Sequence, residues 1–181
     1  MCAGADGVGI DAPDRQTHGC HLGGGGPGRC AEVALAARTH GLAERIAGGP
    51  VSMLTPRLDA DFPVRLHWMR AGFALWSALE DYAGATTLTE TYPSGSFRRL
   101  AATSVPRVRL VARGAKTAAP QRLDLLADLV EAPAHAAMWS LDGVDALAAA
   151  LAAFALEVGR GAVVAEHTHP GHDGSRIALL A

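Results

Sequence analysis

The chain has 181 residues, 49% of them hydrophobic, and a formal net charge of −2 at pH 7. This length and apolar content suit one domain with a sizeable core, so we expect residues 1–181 to form a single domain. The near-neutral charge excludes the basic surplus of a strong nonspecific nucleic-acid binder, so any nucleic-acid partner must be held by local patches. The three scattered cysteines exclude a disulfide framework and favour a cytoplasmic protein.

The N-terminal half of the sequence predicts a strand, a loop and two helices. Residues 7–10 are apolar and end at Asp11, which is typical of a buried strand that carries an acid at its end. Residues 14–29 are polar and glycine-rich and predict a flexible loop. Helix formers follow over 30–47, and apolar residues at three- and four-residue steps predict a core helix over 64–82.

The second half predicts a further strand, three helices and a closing strand. Residues 86–92 are rich in β-branched side chains and place Glu90 near the end of a strand. The remaining elements are a short helix over 94–102, capped by Ser94 or Ser96, a helix over 120–130, a long apolar helix over 142–158 and a terminal strand over 176–181. The long helix is shorter than the roughly 18 to 20 apolar residues that cross a bilayer, so we predict no membrane span. Strands that alternate with helices predict an α/β domain with a mixed, mostly parallel sheet.

Four acidic residues occupy positions where such a domain binds ligands. Asp11 and Glu90 fall at the carboxyl ends of predicted strands, where open α/β sheets form their binding crevices. Asp142 and Asp145 are three positions apart at the start of the long helix, so they share one face near the positive end of the helix dipole. Oxygen ligands of this kind suit hard divalent cations. The sequence therefore predicts an Mg²⁺ or Mn²⁺ site formed by Asp11, Glu90, Asp142 and Asp145.

Three of these acids also have an ordinary structural explanation. Asp142 is suited to cap the N-terminus of the helix, Asp11 is suited to start a turn, and Glu90 could face solvent. Asp145 is harder to explain in this way. It lies one turn inside the helix between apolar neighbours, where an unpaired charge is costly if that face is buried.

Five short motifs stand in an order that resembles a family of bacterial and archaeal domains described as predicted RNase H-like nucleases. The motifs are GIDAP at 9–13, RTHG at 38–41, ETYP at 90–93, DGVDALAAALAA at 142–153 and DGSRIALL at 173–180. The acidic helix is also similar to that of the RuvC-type Holliday junction resolvases. The resemblance extends from about residue 7 to the end of the chain, and its specificity comes from the order and spacing of the motifs.

The resemblance implies an RNase H-like three-layer fold and a nuclease that cleaves DNA or RNA with two Mg²⁺ ions about 3.5 to 4 Å apart. Carried onto this sequence, it makes the four acids the metal ligands and catalytic residues. Phosphate contacts are expected from Arg15, Arg98 and Arg99, for which a solvated surface role is the alternative. The family pattern has further strands and a first aspartate ahead of GIDAP, so the resemblance also implies an N-terminally truncated domain with weak or no activity.

Two other classes of function stay open. A noncatalytic interaction domain would keep the fold and lose the reaction. A zinc-binding module would use the clustered histidines and cysteines, although their spacing matches none of the common zinc motifs. The residues of these clusters are His18, Cys20, His21, Cys30, His167, His169 and His172.

Overall fold

The computed structural model describes residues 7–11, 67–83, 87–131, 139–165 and 177–180. In chain order the elements are β1 (Gly7–Ile10), α1 (His67–Ala83), β2 (Thr87–Glu90), α2 (Pro93–Thr103), α3 (Ala118–Leu126), α4 (Leu141–Glu157), β3 (Ala162–Ala165) and β4 (Ile177–Leu180). The fold is mixed α/β, as the alternation of elements predicts. None of the helices described here combines the length and apolar character needed to cross a bilayer.

The strands form two ladders that one bridge connects. Strands β1 and β2 pair in parallel, with Gly7 opposite Thr87 and Ile10 opposite Glu90. Beyond Glu90 the backbone N–H of Thr91 donates to the carbonyl of Ile10 at 2.9 Å, which continues this ladder. Strands β3 and β4 pair antiparallel, and a parallel bridge between Thr91 and Ala178 connects the two ladders. The sheet is therefore mixed, and its parallel part carries the strand that ends at Asp11.

Helix α4 is central to the packing of the described residues. It contacts all four strands and also α2 and α3. Apart from Asp145, its buried face consists of Val144, Ala148, Ala149, Ala152 and Ala153. These small side chains allow close packing, so that a Cβ atom on Gly9 would overlap the carbonyl group of Ala149. Phe97, Leu126 and Leu180 complete the main core against this face.

Most element predictions are confirmed within a few residues, and β1 has the predicted bounds. Two details of the second half are wrong. The cap of α2 is Tyr92, which makes no capping hydrogen bond through its side chain; Ser96 lies inside the helix, where its Oγ accepts from the backbone N–H of Leu180 at 3.0 Å. Strand β3 was not predicted. The predicted loop over 14–29 and helix over 30–47 lie outside the described residues.

Candidate functional site

Three of the four predicted acids line one pocket of about 440 Å³. Asp11 enters it from the end of β1, and Asp142 and Asp145 enter it from the first turns of α4. Helix α1 supplies part of the apolar wall, and Arg113 completes the polar part. Carboxylates that are far apart in the sequence therefore meet at the carboxyl end of a parallel strand, where α/β folds place ligands.

The start of α4 presents its aspartates to this pocket because another residue caps the helix. Ser140 is the cap, and its Oγ accepts a hydrogen bond from the backbone N–H of Gly143 at 3.2 Å. The alternative explanation of Asp142 as the capping residue is therefore wrong. The side chain of Asp142 is 95% exposed, so it is available to a ligand.

Asp145 is the unusual member of the group because it is a carboxylate on the buried face of α4. The residue is 4% exposed. Both carboxylate oxygens are buried and accept no hydrogen bond from the described residues. Oδ2 lies 2.6 Å from Nη1 of Arg113 in an ion pair, whereas Oδ1 takes part in neither kind of contact within the described part of the chain. A buried carboxylate oxygen without a partner is energetically costly. This oxygen is therefore the clearest sign that the pocket accepts a cation or a hydrogen-bond donor.

Arg113 lies between the two aspartates of α4 and was missed by the sequence analysis. Its Nη1 donates to Oγ of Ser94 at 3.0 Å, and its Nη2 lies 4.0 Å from Oδ1 of Asp142. The guanidinium group thus already compensates part of the negative charge. The available signal was the alternation of arginine with apolar residues in RVRLVAR at 107–113, which is typical of an extended segment with one charged face.

The pKa of Asp11 is raised by its surroundings in the pocket. The residue as a whole is exposed, but its carboxyl group is partly enclosed. The pKa of Asp11 is raised from 3.8 to about 6. Burial is the largest cause, the negative charges of Asp145 and Asp142 also raise the pKa, and the positive charge of Arg113 lowers it. Desolvation and like charge both disfavour the ionised form, so the pocket favours an added positive charge.

Tyr92 is a second residue that the sequence analysis did not single out. Burial raises the pKa of its hydroxyl group above the ordinary value of 10.0. The charges of Arg98 and Arg113 lower that pKa, whereas those of Asp11 and Asp145 raise it. The phenol therefore stays protonated at neutral pH.

Glu90 does not belong to the residues that line this pocket. It is 7% exposed and pairs with Ile10 in the sheet, whereas Gly9 is the residue that packs on α4. Side chains alternate along a strand, so Ile10 and its partner Glu90 belong to one face of the sheet and Gly9 belongs to the other. Glu90 therefore lies on the face opposite to α4. The structure thus brings Asp11, Asp142 and Asp145 together and does not bring Glu90 to them.

The three aspartates match Mg²⁺ or Mn²⁺ in donor chemistry, since all of their donors are carboxylate oxygens. In the described part of the chain, however, no group of three or more His, Cys, Asp or Glu side chains has an arrangement ready to hold a metal ion. Arg113 stands against Asp145. A divalent ion that used both oxygens of Asp145 would require this arginine to move.

Several predicted site residues lie outside the described residues. These are Arg15 and the proposed zinc ligands His18, Cys20, His21, Cys30, His167, His169 and His172. Arg98 and Arg99 are both partly buried on α2. Each has one buried guanidinium nitrogen without a hydrogen-bond partner among the described residues.

Comparison with protein families gives a match over residues 3–171, which is nearly the whole chain. The family is described as a protein of unknown function, DUF429. Comparison with curated proteins and with solved structures gives no match.

Proposed function

The chain belongs to the DUF429 family of proteins of unknown function, and we propose that it is a metal-dependent nuclease that hydrolyses nucleic-acid phosphodiester bonds. One observation carries the proposal: Asp11, Asp142 and Asp145 converge on a single pocket, and a buried oxygen of Asp145 has no hydrogen-bond partner among the described residues. The mixed sheet and the order of the sequence motifs support an RNase H-like fold for this site.

The pocket residues have distinct roles in this reaction. Asp142 and Asp145 would hold Mg²⁺ or Mn²⁺ together with Asp11, and a metal bound there supplies activation of water and polarisation of a phosphoryl oxygen. Arg113 would leave Asp145 and contact the phosphate, since its planar guanidinium group suits bidentate contacts to phosphate. Glu90 stays a predicted ligand that the pocket geometry does not support.

A noncatalytic domain is the second candidate, and the Arg113–Asp145 ion pair favours it. Oδ2 of Asp145 already has a cation at 2.6 Å. A buried acid that is neutralised by an arginine of the same chain is a common structural arrangement and needs no metal. In this case the carboxylate cluster would hold the segment around Arg113 against α4, and the pocket would carry out no reaction.

Metal binding and cleavage by the Asp145→Asn variant distinguish the two functions. We expect calorimetric titration to show Mg²⁺ and Mn²⁺ binding to the unaltered chain, and end-labelled single-stranded DNA, branched DNA or RNA to be cleaved, if only slowly, in either metal. Asp145→Asn keeps the size of the side chain and removes the charge, so it should abolish both signals. Asp124→Asn is the matched control, because Asp124 is exposed on α3 and lies away from the pocket.

The outcome for the unaltered chain decides between nuclease and structural ion pair. If it binds neither metal and cuts none of the substrates while its circular dichroism shows a folded protein, the nuclease proposal is wrong and the structural role of the ion pair stands. Equal loss of activity in Asp124→Asn would show that the effect of Asp145→Asn is not specific to the pocket.

A further inference from the structure

A second and larger cavity, of about 800 Å³, lies beside the carboxylate pocket and is lined by arginine. Its described lining residues include Arg98, Arg107, Arg109, Arg113 and Arg122 and no acidic residue. Five of the 16 basic residues in the chain therefore face one groove, although the net charge of the whole molecule is −2. Such a local concentration of positive charge attracts anions.

The chain holds this arginine segment in place through its backbone. The amide group of Gln121 on α3 donates from Nε2 to the carbonyl of Arg109 at 2.9 Å and accepts at Oε1 from the N–H of Val111 at 2.8 Å. The N–H of Val108 donates to the carbonyl of Ala101 on α2 at 3.1 Å. The segment is thus fixed between α2 and α3, which leaves the side chains of Arg107 and Arg109 exposed.

Arg122 provides an independent sign that the groove takes an anion. The residue is 4% exposed, its Nη1 donates to the carbonyl of Ala118 at 3.2 Å, and its guanidinium carbon lies 5.6 Å from the ring centre of Phe97. Its Nε and the Nη1 of Arg98 are buried without hydrogen-bond partners among the described residues. Burial lowers the pKa of Arg122, the negative charge of Asp145 raises it, and the positive charges of Arg113 and Arg98 lower it. Unused donors on a buried cation are costly, and an anionic oxygen would satisfy them.

We propose that this groove binds the phosphate groups of a single nucleic-acid strand and directs that strand to the carboxylate pocket. The inference rests on the proposed nuclease function and adds the path of the substrate. Arg113 lines both cavities, so the groove and the pocket meet at this residue. Arg122 is recessed beside the α2 residue Phe97. A phosphate group of a single strand reaches this position more easily than a phosphate group of the wider duplex does.

The lining also predicts how the strand is recognised. None of the described lining residues is aromatic, so the groove lacks the stacking platforms that hold bases in many single-strand binders. Contacts to phosphate position a strand without reading its sequence. We therefore expect binding that is independent of base sequence and strongly dependent on salt.

The test is fluorescence anisotropy of a labelled single-stranded oligonucleotide of about 16 nucleotides, in EDTA so that no metal-dependent cleavage occurs. The double variant Arg107→Gln/Arg109→Gln removes two exposed charges. We expect the double variant to bind about 10- to 30-fold more weakly at about 0.1 M salt. The plot of log K against log salt should become less steep by about 1.4, because each of the two lost phosphate contacts contributes about 0.7 to its slope. Arg160→Gln is the matched control, because Arg160 is exposed beyond the end of α4 and does not line the groove.

The outcomes separate this inference from the nuclease proposal. Loss of binding in the double variant with retention in Arg160→Gln supports the groove, even if no substrate is cleaved in Mg²⁺. Unchanged binding and slope in the double variant overturn the groove, even if the protein is an active nuclease. Equal binding of an oligonucleotide with uncharged methylphosphonate linkages would also overturn it, as would the absence of binding by the unaltered chain.

Discussion

The Asp11 carboxyl group is enclosed in a pocket that it shares with two other carboxyl groups, and burial, together with their negative charge, raises its affinity for a proton. Its pKa is about 6 in the folded protein against the ordinary 3.8. The folded state therefore binds more protons than the unfolded state between these values, and stability must fall as the pH rises through that interval. The favourable contribution of the protonated group is fully present below pH 3.8 and is lost above about pH 6.

The Asp11→Asn variant should lack this pH dependence. Asparagine cannot ionise, so we expect the variant to be more stable than the unaltered chain above about pH 6 and to show a smaller decrease between about pH 4 and pH 6. Urea unfolding followed by circular dichroism at several pH values measures the difference. Asp128→Asn is the control, since Asp128 is exposed and lies away from the pocket. Parallel stability curves for Asp11→Asn and the unaltered chain would contradict the expectation.

Sequence reasoning finds some residues of the site and misses others for a physical reason. Asp142 and Asp145 follow from helical spacing, and Asp11 follows from its place at the end of an apolar strand. Arg113 belongs to no regular element, and its pairing with Asp145 depends on how the segment beyond α2 packs on α4. A contact of this kind is set by tertiary packing, which local patterns do not encode.

Strand β1 lies directly against α4, and one glycine makes that approach possible. A Cβ atom at Gly9 would overlap backbone atoms of Ala149, which cannot move aside as a flexible side chain could. The separation of β1 and α4 sets the distance between Asp11 and the aspartates of α4. Gly9 is therefore a structural requirement of the carboxylate pocket.

The Gly9→Ala variant should destabilise the protein by about 1 to 3 kcal/mol or more, as overpacking of a tight interior contact does. Gly7→Ala is a matched control on the same strand, because a Cβ atom there would have its nearest neighbour at an ordinary 3.8 Å. Urea midpoints of both variants measure the effect. A similar midpoint for Gly9→Ala and Gly7→Ala would show that β1 shifts without cost and would refute the requirement.

Two parts of the element prediction differ from the structure, the start of α3 and the presence of β3. The sequence predicts that α3 starts at Pro120, but this proline lies in the first turn of a helix that begins at Ala118. Proline is tolerated there, because the first N–H groups of a helix have no partner within it. Strand β3 is a short apolar run that follows the end of α4 after Gly159 and Gly161, whose φ angles are 67° and 69°. Four apolar residues do not by themselves distinguish a strand from a continuing helix.

At the scale of the molecule, α4 connects the parts of the described core. Its buried face meets Phe97 of α2, Leu126 of α3 and Leu180 of β4 in one cluster. A region that packs on so many elements opens only when they separate. The α/β class and, apart from β3, the order of the described elements were predictable from the sequence. The central place of α4 was not predictable, because alanine-rich helices bury little area and the pattern does not show what they pack against.

Native-state hydrogen exchange should therefore show that the amides of Ala148, Ala149 and Ala152 exchange only through global unfolding. Their exchange free energies should equal the free energy of unfolding and decrease with urea at the slope of the whole protein. Val144→Ala shortens a side chain with 0% exposure and should lower the free energy of unfolding. The exchange free energies of the α4 and β4 amides should fall by that same amount. Faster, urea-independent exchange of these amides would show that α4 opens locally.

The parallel pairing of β1 with β2 separates the acids of the pocket in time while the chain is being synthesised. Parallel strands need a long crossover connection, and Asp11 leaves the ribosome long before Asp142 and Asp145 do. A nascent chain that has not yet reached α4 contains the strand but none of the carboxylates that oppose it. The repulsion among the three acids, and the relief that Arg113 gives, therefore enter the folding free energy only after α4 has emerged, when β1, β2 and the helices α1 to α3 have already left the ribosome.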